Sequence, residues 1–227
     1  MNEVVYMLQH GTTDSANEDK LRNFVEFRTM DELESMPSPR LLLTHLKYDD
    51  MPKDVFTKGC KMFYMYRNPK DVAVSYLYHM EAFNYAYCFN GGWTEYFDMM
   101  LNGPHEYGRW IDSVPDWLEK ISGNPNILVI SYEDLKKEFI DTAKKLSAHI
   151  GKTYNEEFYE KLAETCSIDT MKKNDKLDFA KLITGKPAIR KGQVGDWKNY
   201  FTVAQNEQFN TIYDPIIDKL KCRVQFE

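Results

Sequence analysis

A chain of 227 residues, 43% hydrophobic and 28% charged, has room for one substantial core and does not have the composition of a disordered protein. Its 29 Lys and Arg against 35 Asp and Glu leave a net charge of −6, which argues against a protein that coats a nucleic-acid backbone. The four cysteines, at 60, 88, 166 and 222, have neither zinc-finger nor C-x-x-C spacing, so reduced thiols and no metal are expected.

In chain order, residues 1–9 read as a short helix, because Val4, Val5 and Leu8 share a face at helical spacing. Residues 10–38 are polar and irregular. Leu41-Leu42-Leu43, after Pro37 and Pro39, predict a short buried strand ending near Thr44-His45. Met62–Tyr66 predicts a second buried strand. Asn68 is a candidate N-cap with Pro69 at the first helical position, opening a helix to about Met80. Residues 93–101 and 107–120 predict helices separated by Gly103-Pro104. Residues 126–131 form a third expected strand after Gly123-Asn124-Pro125. A helix then runs to Ile150, with Leu135, Phe139, Ala143, Leu146 and Ile150 on one face and Gly151 as its stop. Residues 155–164 predict a helix, 173–195 a loop rich in Lys, Gly and Asp, and 203–220 a last helix. Alternating strands and helices point to an α/β fold with a parallel sheet flanked by helices, in one domain over 1–227. The longest apolar runs, such as Ile127–Ile130, fall well short of the roughly 20 residues that cross a bilayer. No basic n-region marks a secretory signal, so a soluble cytoplasmic protein without membrane or nucleic-acid partners is expected.

Several common active sites are absent from the sequence. There is no G-x-x-x-x-G-K-[ST] loop, since Gly185-Lys186 runs into Pro187, and no G-x-S-x-G elbow. His105-Glu106 has Arg109 where a zincin helix needs histidine. Three features remain. His45, at the end of an expected strand, could take a proton from an acceptor hydroxyl, or could be a histidine satisfied by backbone groups. Arg67 also follows a strand and precedes a helix N-terminus, which together make an anion site, and Ser75 lies two turns further on. The alternative is a surface arginine and a helix-packing serine. Arg190-Lys191-Gly192, followed by Gly195-Asp196-Trp197, sets two cations beside a glycine that allows close backbone approach to phosphate. A solvated basic loop fits the same residues.

These features, in this order, resemble the cytosolic sulfotransferase family. The matching segments are 43–46 (Leu-Thr-His-Leu), 66–75 (Tyr-Arg-Asn-Pro-Lys-Asp-Val-Ala-Val-Ser), 131–135 (Ser-Tyr-Glu-Asp-Leu), 190–199 (Arg-Lys-Gly-Gln-Val-Gly-Asp-Trp-Lys-Asn) and 201–207 (Phe-Thr-Val-Ala-Gln-Asn-Glu). The resemblance implies a sulfotransferase fold of the P-loop-NTPase type. It implies transfer of a sulfuryl group from 3′-phosphoadenosine 5′-phosphosulfate (PAPS) to a hydroxyl or amine of a small, phenolic or steroid-like acceptor. By resemblance His45 would be the general base. Arg67 and Ser75 would hold the 3′-phosphate, with Arg190, Lys191 and the Gly192 backbone closing over it. Tyr132 would contact the adenine, as would Cys166, Ser167 and Met171, although Cys166 and Ile168 replace the usual threonine and aromatic. His79, Met80 and Phe83 would line the acceptor pocket. Lys198, Thr202, Val203 and Glu207 fit the spacing K-x-x-x-T-V-x-x-x-E, which resembles the family's homodimer motif.

The same resemblance implies an upstream strand and a Pro-Lys-Ser-Gly-Thr-Thr-Trp loop, whereas this sequence opens inside the following helix, at Met1-Asn2-Glu3-Val4-Val5. Leu43 stands where a second lysine usually precedes Thr-His. The expectation is an N-terminally incomplete enzyme lacking both lysines. The alternative is a catalytically inactive remnant that dimerises or binds nucleotide.

Overall fold

The computed structural model describes residues 1–15, 23–103, 105–173, 181, 184–185, 187 and 189–227. Much of the loop expected over 173–195 lies outside the described residues, as do 16–22 of the irregular stretch and Pro104 of the Gly-Pro break. The described residues group into two compact units, one of 1–46 with 138–192 and one of 47–137 with 193–227.

The unit of 47–137 with 193–227 is built on two parallel strands, β1 (Met62–Tyr66) and β2 (Ile127–Ser131), in register from Met62 opposite Ile127 to Tyr66 opposite Ser131. Short runs of aromatic, Met and branched side chains favour a pleated surface at both places. The connection between parallel strands has to cross over, and helices make it. The first runs Pro69–Ala82. Its start follows from local chemistry: the Asn68 side chain accepts from the Asp71 N–H at 2.8 Å, and Pro69 gives up no needed donor. Val74, Leu77 and Met80 from this helix pack with Tyr96, Phe97 and Met100 of Trp93–Asn102 and with Phe209 and Tyr213 of Val203–Ile217. Each such buried side chain stabilises the unit by about 1.5–3 kcal/mol relative to exposure. The predicted helix over 107–120 is observed as Trp110–Lys120, and the last helix ends at Ile217.

In the unit of 1–46 with 138–192, Asn2–His10 buries Val4, Val5, Met7 and Leu8 and packs against Phe139–His149, where Ala143 and Leu146 are buried. The Tyr154 hydroxyl donates to the Leu8 carbonyl at 2.6 Å. Glu156–Thr165 lies against Phe139–His149, and the Ser147 and Tyr159 hydroxyls meet at 2.6 Å. Gly151, in the turn between those two helices, sits at φ 72°, where a side chain would be strained.

Three readings need correction. Residues 41–43 are not a strand: Leu43 makes one parallel bridge to Phe24, through Val25 N–H to the Leu43 carbonyl (2.9 Å) and Leu43 N–H to the Asn23 carbonyl (2.7 Å). Leu42 is exposed, so the apolar run is not buried on both faces as a central strand requires. The single helix expected to Ile150 divides into Tyr132–Lys137 and Phe139–His149, because Glu138 leaves helical geometry at φ −127°, ψ 56°. The stretch 10–38 contains a helix, Met30–Ser35, opened by a reciprocal capping box between Thr29 and Glu32. Short helices at Lys53–Thr57, Asn84–Tyr87 and Ile168–Lys173 were likewise unforeseen.

Candidate functional site

Parallel pairing carries the chain out of β1 and β2 at the same edge of the sheet. Arg67 follows β1 and Tyr132 follows β2, and the guanidinium lies over the phenol ring at 4.3 Å. Arg67 also heads the helix Pro69–Ala82, where backbone N–H groups favour an anion. Its side chain keeps 20% exposure. Nη2 donates to the Gln193 carbonyl at 3.0 Å and pairs with Asp71 at 3.3 Å, and the Trp110 indole donates to the Arg67 carbonyl at 2.8 Å. Arg67 Nε is buried with no acceptor among the described residues.

Asp71 is the hub of this corner. Its carboxylate is fully buried and also accepts from Asn68 Nδ2 (2.9 Å) and from the backbone N–H groups of Gly195 (2.8 Å) and Trp197 (3.0 Å). Gly195 turns there at φ 84°. Buried Glu133 accepts from the Asn68 backbone and side chain at 2.8 and 3.0 Å. Burial pushes its carboxyl above the usual range, against those bonds and Arg67. Burial also raises the Tyr132 phenol, while the Arg67 cation pulls the other way. Ser75 is exposed on the same helix. Lys70 is buried among Trp197, Phe209 and Phe226, bound to Asn206 and Asn210 at 2.6 and 2.7 Å, and desolvation lowers its pKa.

The other unit holds His45. The Phe24–Leu43 bridge aligns segment 23–27 with 43–46. The His45 ring stacks on Phe24 (centroids 5.2 Å, 13° between planes). Glu26 accepts from the Thr44 hydroxyl at 2.8 Å and from the His45 backbone N–H, and its Oε1 lies 4.0 Å from His45 Nδ1. Phe24 and Glu26 were missed from sequence, and contacts with His45 across 21 and 19 positions reveal them. Cys166 follows the helix Glu156–Thr165, and the Ser167 hydroxyl is engaged with Thr170 at 2.8 Å at the start of Ile168–Lys173, which carries half-buried Met171. Gly192 sits at φ 60°, and a Cβ there would meet Ile168 Cδ1 at 3.0 Å. Arg190 is half-buried and Lys191 exposed.

Of the acceptor candidates, Met80 belongs to the core, while His79 and Phe83 are half-buried with ring centroids 4.7 Å apart. His79 Nε2 lies 3.2 Å from the Tyr87 hydroxyl, which donates to Glu106 at 3.1 Å. Glu106 was not anticipated in this role. Along 198–207, Lys198 pairs with Glu227 at 2.9 Å, Thr202 caps Val203–Ile217 by accepting from Gln205 N–H at 3.2 Å, Val203 is 75% exposed and Glu207 is exposed.

Parallel strands with an arginine and a tyrosine at their carboxyl edge, beside a helix N-terminus, define an α/β protein with a cation at that edge. A sulfotransferase domain profile matches residues 5–221, and the chain belongs to the sulfotransferase family. Mouse Sulfotransferase 1B1 is 41% identical over 187 residues, covering 80% of this chain and 62% of the relative. Human Sulfotransferase 1E1 is 33% identical over 230 residues, covering 94% and 78%. The chain thus spans less than two thirds of the length of the 1B1 relative. Mouse sulfotransferase SULT7A1 complexed with PAP superposes with a TM-score of 0.74 at 34% identity, over 83% of this chain and 69% of that one. Retinol dehydratase in complex with retinol and PAP shares the fold, with a TM-score of 0.83 at 19% identity, over 99% and 79%. Among the described residues, no helix is long and apolar enough to cross a membrane.

Proposed function

We propose that the protein transfers a sulfuryl group from PAPS to a hydroxyl or amine of a small, phenolic or steroid-like acceptor in the cytoplasm. The acceptor oxygen forms a bond to sulfur, the bond from sulfur to the 5′-phosphate oxygen breaks, and His45 takes the acceptor proton. Adenosine 3′,5′-bisphosphate leaves. The transition state is loose and in-line, so the protein's work is positioning and charge neutralisation. Arg67 and Ser75 hold the 3′-phosphate, with Arg190, Lys191 and the Gly192 backbone. Tyr132, Cys166, Ser167 and Met171 serve the adenine, and His79, Met80 and Phe83 the acceptor. Residues 1–227 act as one sulfotransferase domain, and a homodimer forms through Lys198, Thr202, Val203 and Glu207.

The observation that carries this reading is the Arg67 corner. A cation held by Asp71 and the Gln193 carbonyl, stacked on Tyr132, sits at the start of a capped helix. Calorimetric titration with adenosine 3′,5′-bisphosphate tests it. Micromolar binding is expected, weakened by about 2 kcal/mol in Arg67→Lys, which keeps the charge but loses the fork. A transfer assay with labelled PAPS and a panel of phenols then follows. A folded sample that does not bind, or equal affinity in Arg67→Lys, overturns the site. Binding without transfer to any acceptor leaves the nucleotide-binding reading in place of the enzyme.

A further inference from the structure

We propose that Glu26 is the positioning residue for His45, holding the imidazole with its proton on Nδ1 so that Nε2 is presented as the base. The proposal rests on the reading of His45 as the proton acceptor. Three observations carry it. First, the Phe24–Leu43 bridge brings segment 23–27 alongside 43–46, and the His45 ring stacks on Phe24 with 13° between planes. Second, Glu26 holds the 44–46 turn, accepting from the Thr44 hydroxyl at 2.8 Å and from the His45 backbone N–H. Leu46 N–H closes the same turn on Thr44 Oγ1 at 3.0 Å. Third, the carboxylate is only 11% exposed, its Oε1 lies 4.0 Å from Nδ1, and its Oε2 is buried with no donor among the described residues.

A buried carboxylate oxygen without a donor is costly, and a desolvated anion beside one edge of an imidazole favours a proton on that edge. At 4.0 Å the pair is beyond hydrogen-bond length, so a closing movement of about 1 Å completes the contact. When Nε2 takes the acceptor proton, the ring becomes a cation with Nδ1–H facing Glu26. The carboxylate stabilises that cation without itself taking the proton, the role an orienting acid plays behind a histidine base. The His45 side chain keeps 55% exposure.

The test needs no turnover. Protein labelled with 15N-histidine is studied by long-range proton–nitrogen correlation at alkaline pH, with His45→Gln identifying the signal among the five histidines. A free neutral histidine side chain prefers the proton on Nε2. The wild-type His45 is expected mainly as the Nδ1–H form. Glu26→Gln keeps an oxygen for Thr44 and the His45 N–H but removes the charge, and should return the ring to the Nε2–H form. Glu26→Asp should retain part of the Nδ1–H population. A wild-type ring in the Nε2–H form, or a tautomer unmoved by Glu26→Gln in a sample with unchanged near-ultraviolet circular dichroism, overturns the proposal. In a transfer assay, Glu26→Gln should lower kcat about 10- to 100-fold at little-changed KM. An unchanged kcat overturns the proposal. A tautomer that shifts in a protein that transfers nothing refutes the enzyme and leaves the Glu26–His45 pair standing.

Discussion

Replacing Asp71 should cost this protein several hydrogen bonds and an ion pair at once. Its buried carboxylate receives Asn68 Nδ2, the Gly195 and Trp197 N–H groups and the Arg67 guanidinium. Asp71→Asn leaves one acceptor oxygen for these donors and turns an amide N–H against at least one of them. It also strips Arg67 of its only carboxylate partner within 4 Å among the described residues. Removing one member of a buried ion pair costs about 3–5 kcal/mol, since the surviving charge stays desolvated. That corresponds to a fall in Tm of roughly 6–20 °C for a chain of this size. Urea unfolding followed by tryptophan fluorescence is the assay, because Trp197 is tied directly to Asp71. Affinity for adenosine 3′,5′-bisphosphate should fall as well, as Arg67 loses its anchor. A loss under about 1 kcal/mol, the worth of an ordinary neutral hydrogen bond, would refute the hub.

Burial raises the Glu133 carboxyl in the folded protein, so the folded state holds that proton more tightly than the unfolded one. The stabilisation from that preference is full below the unfolded value and lost as pH rises through the raised folded one. Glu133→Gln, which keeps an acceptor for Asn68, should therefore gain stability relative to wild type between pH 4 and pH 8, as read by urea midpoints; a constant difference would remove Glu133 from the pH dependence. Gly192→Ala forces a side chain into φ 60° and 3.0 Å from Ile168 Cδ1, and should cost about 1 kcal/mol or more in thermal melts. Ile168→Ala in the same chain should return the steric share, whereas strict additivity would show that the two residues do not meet. Val203, at 75% exposure, contributes little to the fold of one chain, so Val203→Glu should leave the melting point within about 2 °C while light scattering shows a monomer. A persistent dimer would move the interface elsewhere.

The sequence carries more of the helical framework than of the sites. Asn68-Pro69 marks a helix start because capping is chemistry between neighbours, and β1 and β2 are legible as short apolar runs between turn residues. Thr29-x-x-Glu32 held the same kind of signal inside a stretch that looked merely polar, and the helix Met30–Ser35 follows from it. The strand read from Leu41–Leu43 shows the limit of such reasoning. Apolar composition says that a segment suits a sheet, while a neighbouring segment with free backbone groups decides whether it joins one, and here Phe24 supplies a single bridge.

Residue identity and order alone determined the family resemblance and singled out His45, Arg67 and the Arg190-Lys191-Gly192 run. Tertiary structure alone decided what each side chain answers to. Tyr132 is 65 positions from Arg67 and becomes its stacking partner because β1 and β2 pair in parallel. Asp71 is a fourth-neighbour of Arg67 in the sequence, yet its weight comes from Gly195 and Trp197, more than 120 positions on. Glu26 sits in a segment without any local mark of function and meets His45 only after the chain has folded back across Phe24. Electrostatics and hydrogen bonding act over a few ångströms of space and take no account of chain distance, so these partnerships are written in the fold rather than in any local pattern.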